Sequence, residues 1–476
     1  MKMRFAFALV ATTALAACNV LAPVPALPPT AAVNRESANA PFLGASDASF
    51  VQAPVPEQWW KLYDDARLNA LIEEALGANA DLRVAAANLE RAQASLEVAD
   101  AAMEPTTSLL AAPGYQRRSA EEDLHPGKPF PNKFVYSTGA SVSYQVDLYG
   151  QIARSIDAAR ADVGAAASAR DAAQVTVVAE TTRAYLDVCS SGREMDVAQR
   201  LLALQEQSTA LTRTLVSNGR AGTLDAQHSS VQEDQVRATL PQLATQRRLG
   251  LYRLAVLTGR TPGEFPREVA DCTQEPRLSA AIPVGDGKSL LRRRPDVRRA
   301  EFEVRSAGDR IGVAEGDLYP KISLGASVGS VGAMQSGFAA DTFKFSLGPL
   351  ITWEFPERSR VEGRIRGASA ERSAKLAQFD GTVLTALKET ESALEVVQED
   401  KRRLEILAGA QAKAADAARG TENLFKSGRQ GYLPVLDANR TLIEIEQSAA
   451  AAESKLATDQ VGLFLALGGG WQSPRN

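Results

Sequence analysis

The sequence predicts a mainly α-helical protein that also carries transmembrane β-strands, written as two copies of one structural unit. Three observations predict this class. Two proline-free runs reach 68 residues (Gln151 to Asn218) and 71 residues (Glu357 to Ser427). Several short segments are apolar at every second residue, and a set of motifs recurs at a nearly constant offset. Composition agrees: 476 residues suffice for several domains or one elongated body, aromatics are only 6%, and blocks such as "AARADVGAAASARDAA" favour long helices. A net charge of −4 gives no electrostatic footprint for nucleic acid.

The N-terminus reads as a targeting segment. Lys2 and Arg4 precede an apolar stretch from Phe5 to Leu15, too short to span a bilayer, and "LAAC" follows. This resembles the lipobox of bacterial lipoproteins. The resemblance implies a signal peptide over 1–17, cleavage before Cys18 and acylation of Cys18, with Asn19 favouring the outer membrane. An ordinary secretory signal with a chance cysteine is the alternative. Residues 18–58 are rich in proline and small residues and predict an extended tether or strap outside any core. From Trp59 to Pro105, helical spacing broken near Gly77 to Asn79 predicts two consecutive helices.

Strands come next. Ala140, Val142, Tyr144, Val146 and Leu148 alternate with Ser141, Ser143, Gln145 and Asp147. "KISLGASVGS" repeats the pattern through Ile322, Leu324, Ala326 and Val328. It returns at Phe343, Phe345, Leu347, Ile351, Trp353 and Phe355, with Leu350 out of step, and more weakly in "TTSLLAAPGY". Segments near nine residues with one apolar face suit a transmembrane barrel; a soluble half-buried sheet is the alternative. In the second long run, Val383, Leu387, Leu394, Val397 and Leu404, with Thr390 and Lys401 between, follow a coiled-coil seam. At about 1.5 Å per residue, the first run would extend about 100 Å as a helix.

Paired motifs organise the chain. "VADAAMEPTTSL" matches "VAEGDLYPKISL", "YQVDLYG" corresponds to "ITWEFPE", and "LAVLTG" matches "FLALGG". With "NGRAG" and "SGRQG", the offsets are 215, 207, 210 and 209 residues, which predicts a duplicated unit over 59–270 and 271–476, the second preceded by a connecting segment. The glycine-rich pairs then mark two hairpin tips, where Gly219, Gly222, Gly428 and Gly431, beside Arg220 and Arg429, are expected to supply positive φ.

No constellation of nucleophile, base or metal ligands is present in the sequence. His125 and His228 both read as solvated surface residues. In "RRRPDV", Pro295 and Asp296 are expected to open a helix and the arginines to form a surface cluster. Cys189 and Cys272 are an even pair in an oxidising compartment. Measured along the helices from the first tip they reach similar heights, so a disulfide between them is expected. Four strands cannot close a barrel, so several chains are expected to share one.

"SLLRRRPDVRRAEFEV", "GVAEGDLYPKISL", "VSYQVDLYG", "GYLPVLDANRTL" and "LFLALGGGW" together resemble the outer-membrane factor family, the TolC-like efflux proteins, and within it the acylated OprM or NodT branch. The resemblance runs from about Trp59 to Trp471. It implies a homotrimer whose twelve strands form an outer-membrane barrel continued by an α-helical periplasmic tunnel. It also implies a passive exit duct that serves an inner-membrane RND-type pump and a periplasmic adaptor, without cofactor, metal or enzymatic activity. By motif position, Leu433 would form a hydrophobic ring and Asp437 a ring of like charge at the periplasmic gate, with the tip residues Gly219, Arg220, Gly222, Gly428, Arg429 and Gly431 at the adaptor contact. Without the family, Leu433 reads as a packing residue and Asp437 as half of a surface pair with Arg440. Type I protein secretion and a non-conducting envelope scaffold are the competing functions.

Overall fold

The structure, a computed structural model, describes residues 26–117, 119, 127, 130–278, 280–353 and 357–469. In chain order the elements are α1 (Glu36–Asn39), β1 (Phe50–Val51), α2 (Ala66–Ala78), α3 (Ala80–Asp100), β2 (Thr106–Gln116), β3 (Lys133–Val146), α4 (Gln151–Ser217) and α5 (Thr223–Leu257). There follow β4 (Ile282–Pro283), α6 (Gly287–Arg293), α7 (Pro295–Gly316), β5 (Lys321–Ala333), β6 (Phe343–Thr352), α8 (Arg358–Lys426) and α9 (Leu433–Ala466). The order helix, two strands, long helix, return helix runs from α3 to α5 and again from α7 to α9. The chain divides into two compact units, one holding Leu89–Ala165 and Ala300–Phe379, the other Pro29–Asn88, Ala166–Arg299 and Asp380–Asn476.

In the first unit, β2, β3, β5 and β6 form one antiparallel sheet in that order. The expected strand at Ala140–Leu148 is the second half of β3, which ends at Val146, two residues short of the expected Leu148. Thr138 and Gly139 interrupt the apolar alternation, so the half from Lys133 is not legible in the sequence, although it pairs with β2 throughout and with β5 from Val135. Phe355 lies outside the described residues. The start of α4 packs on α7 through glycines: a Cβ on Gly164 would meet the Phe302 ring at 2.7 Å and one on Gly316 would meet Gln151 at 2.7 Å. Arg154 donates to Asp309 at 3.0 Å across the same contact, and Ser306 and Arg310 both donate to Asp162.

The second unit has a hydrophobic core centred on Trp59, which is fully buried and stacks on Phe464 with ring centroids 4.6 Å apart. Tyr185 donates to Asp65 at 2.7 Å, and the same carboxylate caps α2 by accepting from the N–H groups of Arg67 and Leu68. Val383, Thr390, Leu394 and Val397 of the expected seam are buried, with Leu387 packed beside them. Cys189 and Cys272 are joined by a disulfide, Cα atoms 4.7 Å apart, inside this core. Beside it, a Cβ on Gly192 would lie 2.1 Å from the Cys272 carbonyl oxygen, so only glycine admits the loop there.

Two expectations are corrected here. Residues 29–58 are not a tether outside the core. Phe42, Phe50 and Val55 are buried, β1 pairs in parallel with β4, and the strap is pinned to α8 where Ala32 N–H donates to Asp380 (2.7 Å) and Leu43 N–H to Glu391 (2.8 Å). Its few apolar side chains lack the periodicity that marks a core element, but carboxylates supplied by a distant helix satisfy its backbone. Nor do the arginines before Pro295 form a surface cluster. Pro295 and Asp296 do open α7, yet Arg294 is buried and donates to Ala466 O, Asp296 and Glu389. Arg293 donates to Leu467 O at 2.8 and 2.6 Å. The two guanidiniums thus satisfy the last carbonyls of α9, which no helical N–H can reach. Burial pushes Arg293 down to about 10.

Each long helix ends in the same reversal. Arg220 N–H donates to Leu215 O (2.8 Å) and Gly219 N–H to Val216 O (3.0 Å), with Gly219 at φ +72°. Arg429, Gly428, Leu424 and Phe425 repeat it, with Gly428 at φ +70°. Gly222 and Gly431 do not take positive φ, contrary to expectation. One left-handed residue is enough to turn the chain. Gly222 instead opens α5 in extended geometry (φ −84°), its N–H received by Asp225 at 2.9 Å.

The disulfide closes a separation of 83 residues, so replacing both cysteines with alanine should cost roughly 2–4 kcal/mol of stability. Peptide mapping of the unreduced native protein should recover the Cys189–Cys272 pair, and free thiol at both positions would refute it. Glu275, in the loop after the disulfide, has a buried Oε1 without a hydrogen-bond partner. Burial pushes its carboxyl up to about 7, against the opposing pull of Arg193 and Arg277. An acid whose folded value is raised contributes most stability when protonated, and that contribution is lost as pH rises from about 4.5 through 7. Unfolding midpoints should therefore fall between pH 5 and pH 8 by the equivalent of up to about 3 kcal/mol, and Glu275→Gln should flatten this slope. A slope unchanged in Glu275→Gln would exclude this carboxyl as its source.

Candidate functional site

The sheet is built with two chemically different faces. The β3, β5 and β6 register places Ala140 opposite Val328 and Val328 opposite Phe345, while Leu109 of β2 faces Ala140. Neighbouring rows on this face hold Val142, Ala326 and Leu347, and Tyr144 and Leu324. These side chains have no cover: Phe345 is 75% and Leu347 82% exposed. The opposite face carries Ser108, Ser141, Ser327 and Ser346 in one row and Thr106, Ser143, Gly325 and Gly348 in the next. Pro349 occupies the apolar row, so Leu350 falls on the serine and glycine face opposite Ser323.

Aromatic groups gather at both ends of the sheet. At one end Tyr115 packs on Phe134 (4.8 Å) and Tyr136 on Phe338 (5.4 Å); at the other Tyr149 stacks on Tyr319 (4.5 Å) and the Trp353 indole donates to Leu318 O. The ten residues of β6 extend about 34 Å along the strand. Tilted by about 40°, they would cover about 25 Å, the height of the apolar band of a membrane barrel. Among the described residues no helix is long and apolar enough to cross a membrane.

The two hairpin tips come together in a cleft of about 530 Å³. Asp225, His228 and Gln232 line it from α5, and Leu433, Leu436, Asp437 and Arg440 from α9. Leu433 is 68% exposed, so it is not a packing residue of its own chain. Asp437 does accept from Arg440, at 2.7 Å one helical turn on, as the simpler reading of the residues has it. That pair is solvent-exposed and worth about 0.3–0.5 kcal/mol, too little to hold the tip shut or open. His228, expected as a solvated surface residue, is exposed as expected and also lines this cleft. Its spacing of three from Asp225 places both on one helix face, a signal present in the sequence that acquires meaning only once α9 lies opposite. Phe425 packs on Tyr432 (5.0 Å) and braces the second tip alone. Cys18 and His125 lie outside the described residues.

A sequence model of the family described as "Outer membrane efflux protein" matches residues 71–260 and 287–469. The chain is 30% identical to outer membrane protein OprJ of Pseudomonas aeruginosa over 427 residues, 88% of this chain and 87% of that protein. It is 25% identical to nodulation protein T of Rhizobium leguminosarum bv. trifolii over 417 residues, covering 87% and 88%. Among solved structures, the outer-membrane channel OprN superposes with a TM-score of 0.87 at 29% identity, covering 95% of this chain and all of that one. The chain thus shares its fold with an outer-membrane channel, and it belongs to the outer membrane efflux protein family.

Proposed function

We propose that three copies of this chain close their sheets into one twelve-stranded barrel, continued by the helices as a periplasmic tunnel, to form the passive exit duct of a tripartite efflux system. The observation that carries it is an open sheet with an uncovered apolar face. Strands β2 and β6 are edges within the chain, and hydrocarbon offers an unpaired strand edge no hydrogen-bond partner. A second observation supports shared assembly: α3 is 21 residues long and none of them is buried, whereas helices of globular proteins owe most of their stability to a packed face. The number three rests on the family resemblance, as do an RND-type pump and a periplasmic adaptor as partners. The twofold match of the family model supports one unit duplicated over 59–270 and 271–476.

Within this reading Cys18 carries the acyl anchor after removal of residues 1–17, and the tip residues Gly219, Arg220, Gly222, Gly428, Arg429 and Gly431 meet the adaptor. Leu433 and Asp437 narrow the entrance, Leu433 because an exposed leucine repeated around an axis resists wetting. No step of this function calls for a cofactor or an enzymatic residue.

Two measurements test the proposal. The purified protein in a planar bilayer should give discrete channel currents and crosslink as a trimer. Leu433→Ala with Asp437→Ala should raise resting conductance several-fold. Trimers that never conduct would overturn the duct, and an unchanged conductance in the double variant would return both residues to an ordinary helix surface. Mass spectrometry should find the mature N-terminus at acylated Cys18; an unmodified terminus elsewhere would remove the anchor from the proposal.

A further inference from the structure

The strands β2, β3, β5 and β6 contain three lysines, Lys133, Lys321 and Lys344, and no aspartate or glutamate. All three share the serine and glycine face: Lys133 stands opposite Gln116, Lys321 opposite Thr352 and Lys344 opposite Gly329. Lys321 pairs with Asp317 at 3.1 Å, a carboxylate it shares with Arg364. Lys344 has different surroundings. Its row reads Leu110, Gly139, Gly329, Lys344, directly beside the row of Ser108, Ser141, Ser327 and Ser346.

The glycines are required by close backbone approach. A Cβ on Gly329 would lie 2.5 Å from Thr138 O, and one on Gly139 3.0 Å from Val328 O. The space they leave is where Lys344 lies, its Cε 3.5 Å from a Cβ placed on Gly329. The serines pair across strands, Ser108 with Ser141 at 2.7 Å and Ser327 with Ser346 at 2.8 Å. Phe343 and Phe345 flank Lys344 on the other face. A register slip of one residue would drive an ammonium into hydrocarbon, so the membrane itself holds Lys344 on the inner side.

We infer that Lys344, lying over the Gly139–Gly329 pair beside the serine row, forms an anion-favouring band inside the duct that attracts the carboxylate, sulfonate or phosphate groups of passing organic solutes. This rests on the proposed closed barrel with the serine face inward. The ammonium supplies the charge, the glycines leave room for a solute to approach it, and the serines offer hydroxyl donors. The strands hold no carboxylate to cancel it, and the low-dielectric wall concentrates its field across the lumen.

The test introduces a single reporter thiol, Ser346→Cys, into the full chain carrying Cys18→Ser and reconstituted in lipid vesicles, where Cys189 and Cys272 are already bonded to each other. Two membrane-impermeant methanethiosulfonate reagents, one bearing an anionic sulfonate and one a cationic trimethylammonium, are compared, each normalised to its rate with a free small thiol. The reporter thiol should react faster with the sulfonate reagent. Adding Lys344→Gln should lower the anion-to-cation rate ratio roughly tenfold, while Lys344→Arg, which keeps the charge, should preserve it. A ratio unchanged by Lys344→Gln overturns the anion-favouring band and leaves the barrel intact. If the Ser346→Cys thiol is inert to both reagents while that of Phe345→Cys reacts, the serine face is not the lumen, and the barrel orientation falls together with the inference.

Discussion

Backbone polar groups in hydrocarbon must find partners in protein, and the remaining features of the strand unit follow from that constraint. Within the chain, β3 and β5 are paired on both sides and β2 and β6 on one side only. In the proposed barrel such a sheet is completed by other copies, an arrangement that calls for one mainly apolar face and another that tolerates water. Lys344 and its two phenylalanine neighbours accordingly fall on opposite faces of one strand, although Leu110 and Leu350 lie on the serine and glycine face. Pro113 and Pro349 sit on the two edge strands, where a missing N–H interrupts the ladder least.

The helical unit distributes its stability unevenly between the two ends of α9. At the C-terminal end of α9, Arg293 and Arg294 meet the terminal carbonyls, Trp59 stacks on Phe464, and the Cys189–Cys272 bond closes the core nearby. Charge-assisted hydrogen bonds of this sort are worth roughly 1.5–3 kcal/mol each. At the N-terminal end the corresponding ties are the buried Val435, an exposed Asp437–Arg440 pair and one aromatic contact. The C-terminal end of the return helix is therefore the more strongly anchored of the two.

Much of this fold is legible in the sequence because its signals are local. Alternation through Ile322, Leu324, Ala326 and Val328 marks a strand wherever it lies, and proline-free runs with a 4-3 seam mark long helices. The glycine-rich tips announce reversals, and Gly219 and Gly428 supply them, whereas Gly222 and Gly431 do not, since sequence cannot tell which of two nearby glycines carries the left-handed turn. Leu433 and Asp437 stand out only through resemblance to the family, and His228 does not stand out at all, because its neighbours in space belong to another helix.

The sequence by itself determined the alternating strands, the long helices, the duplicated order and the family. Each of these depends on spacing between residues a few positions apart, or on motifs read in order. Only the tertiary structure decided that residues 29–58 belong to a core, that Arg293 and Arg294 finish a helix more than 170 residues away, that one carboxyl oxygen of Glu275 is buried, and that Lys344 lies over two glycines of neighbouring strands. These depend on partners brought close by topology. A side chain's burial, charge state and hydrogen bonds are properties of what surrounds it, and no periodicity in one segment encodes which distant segment will be there.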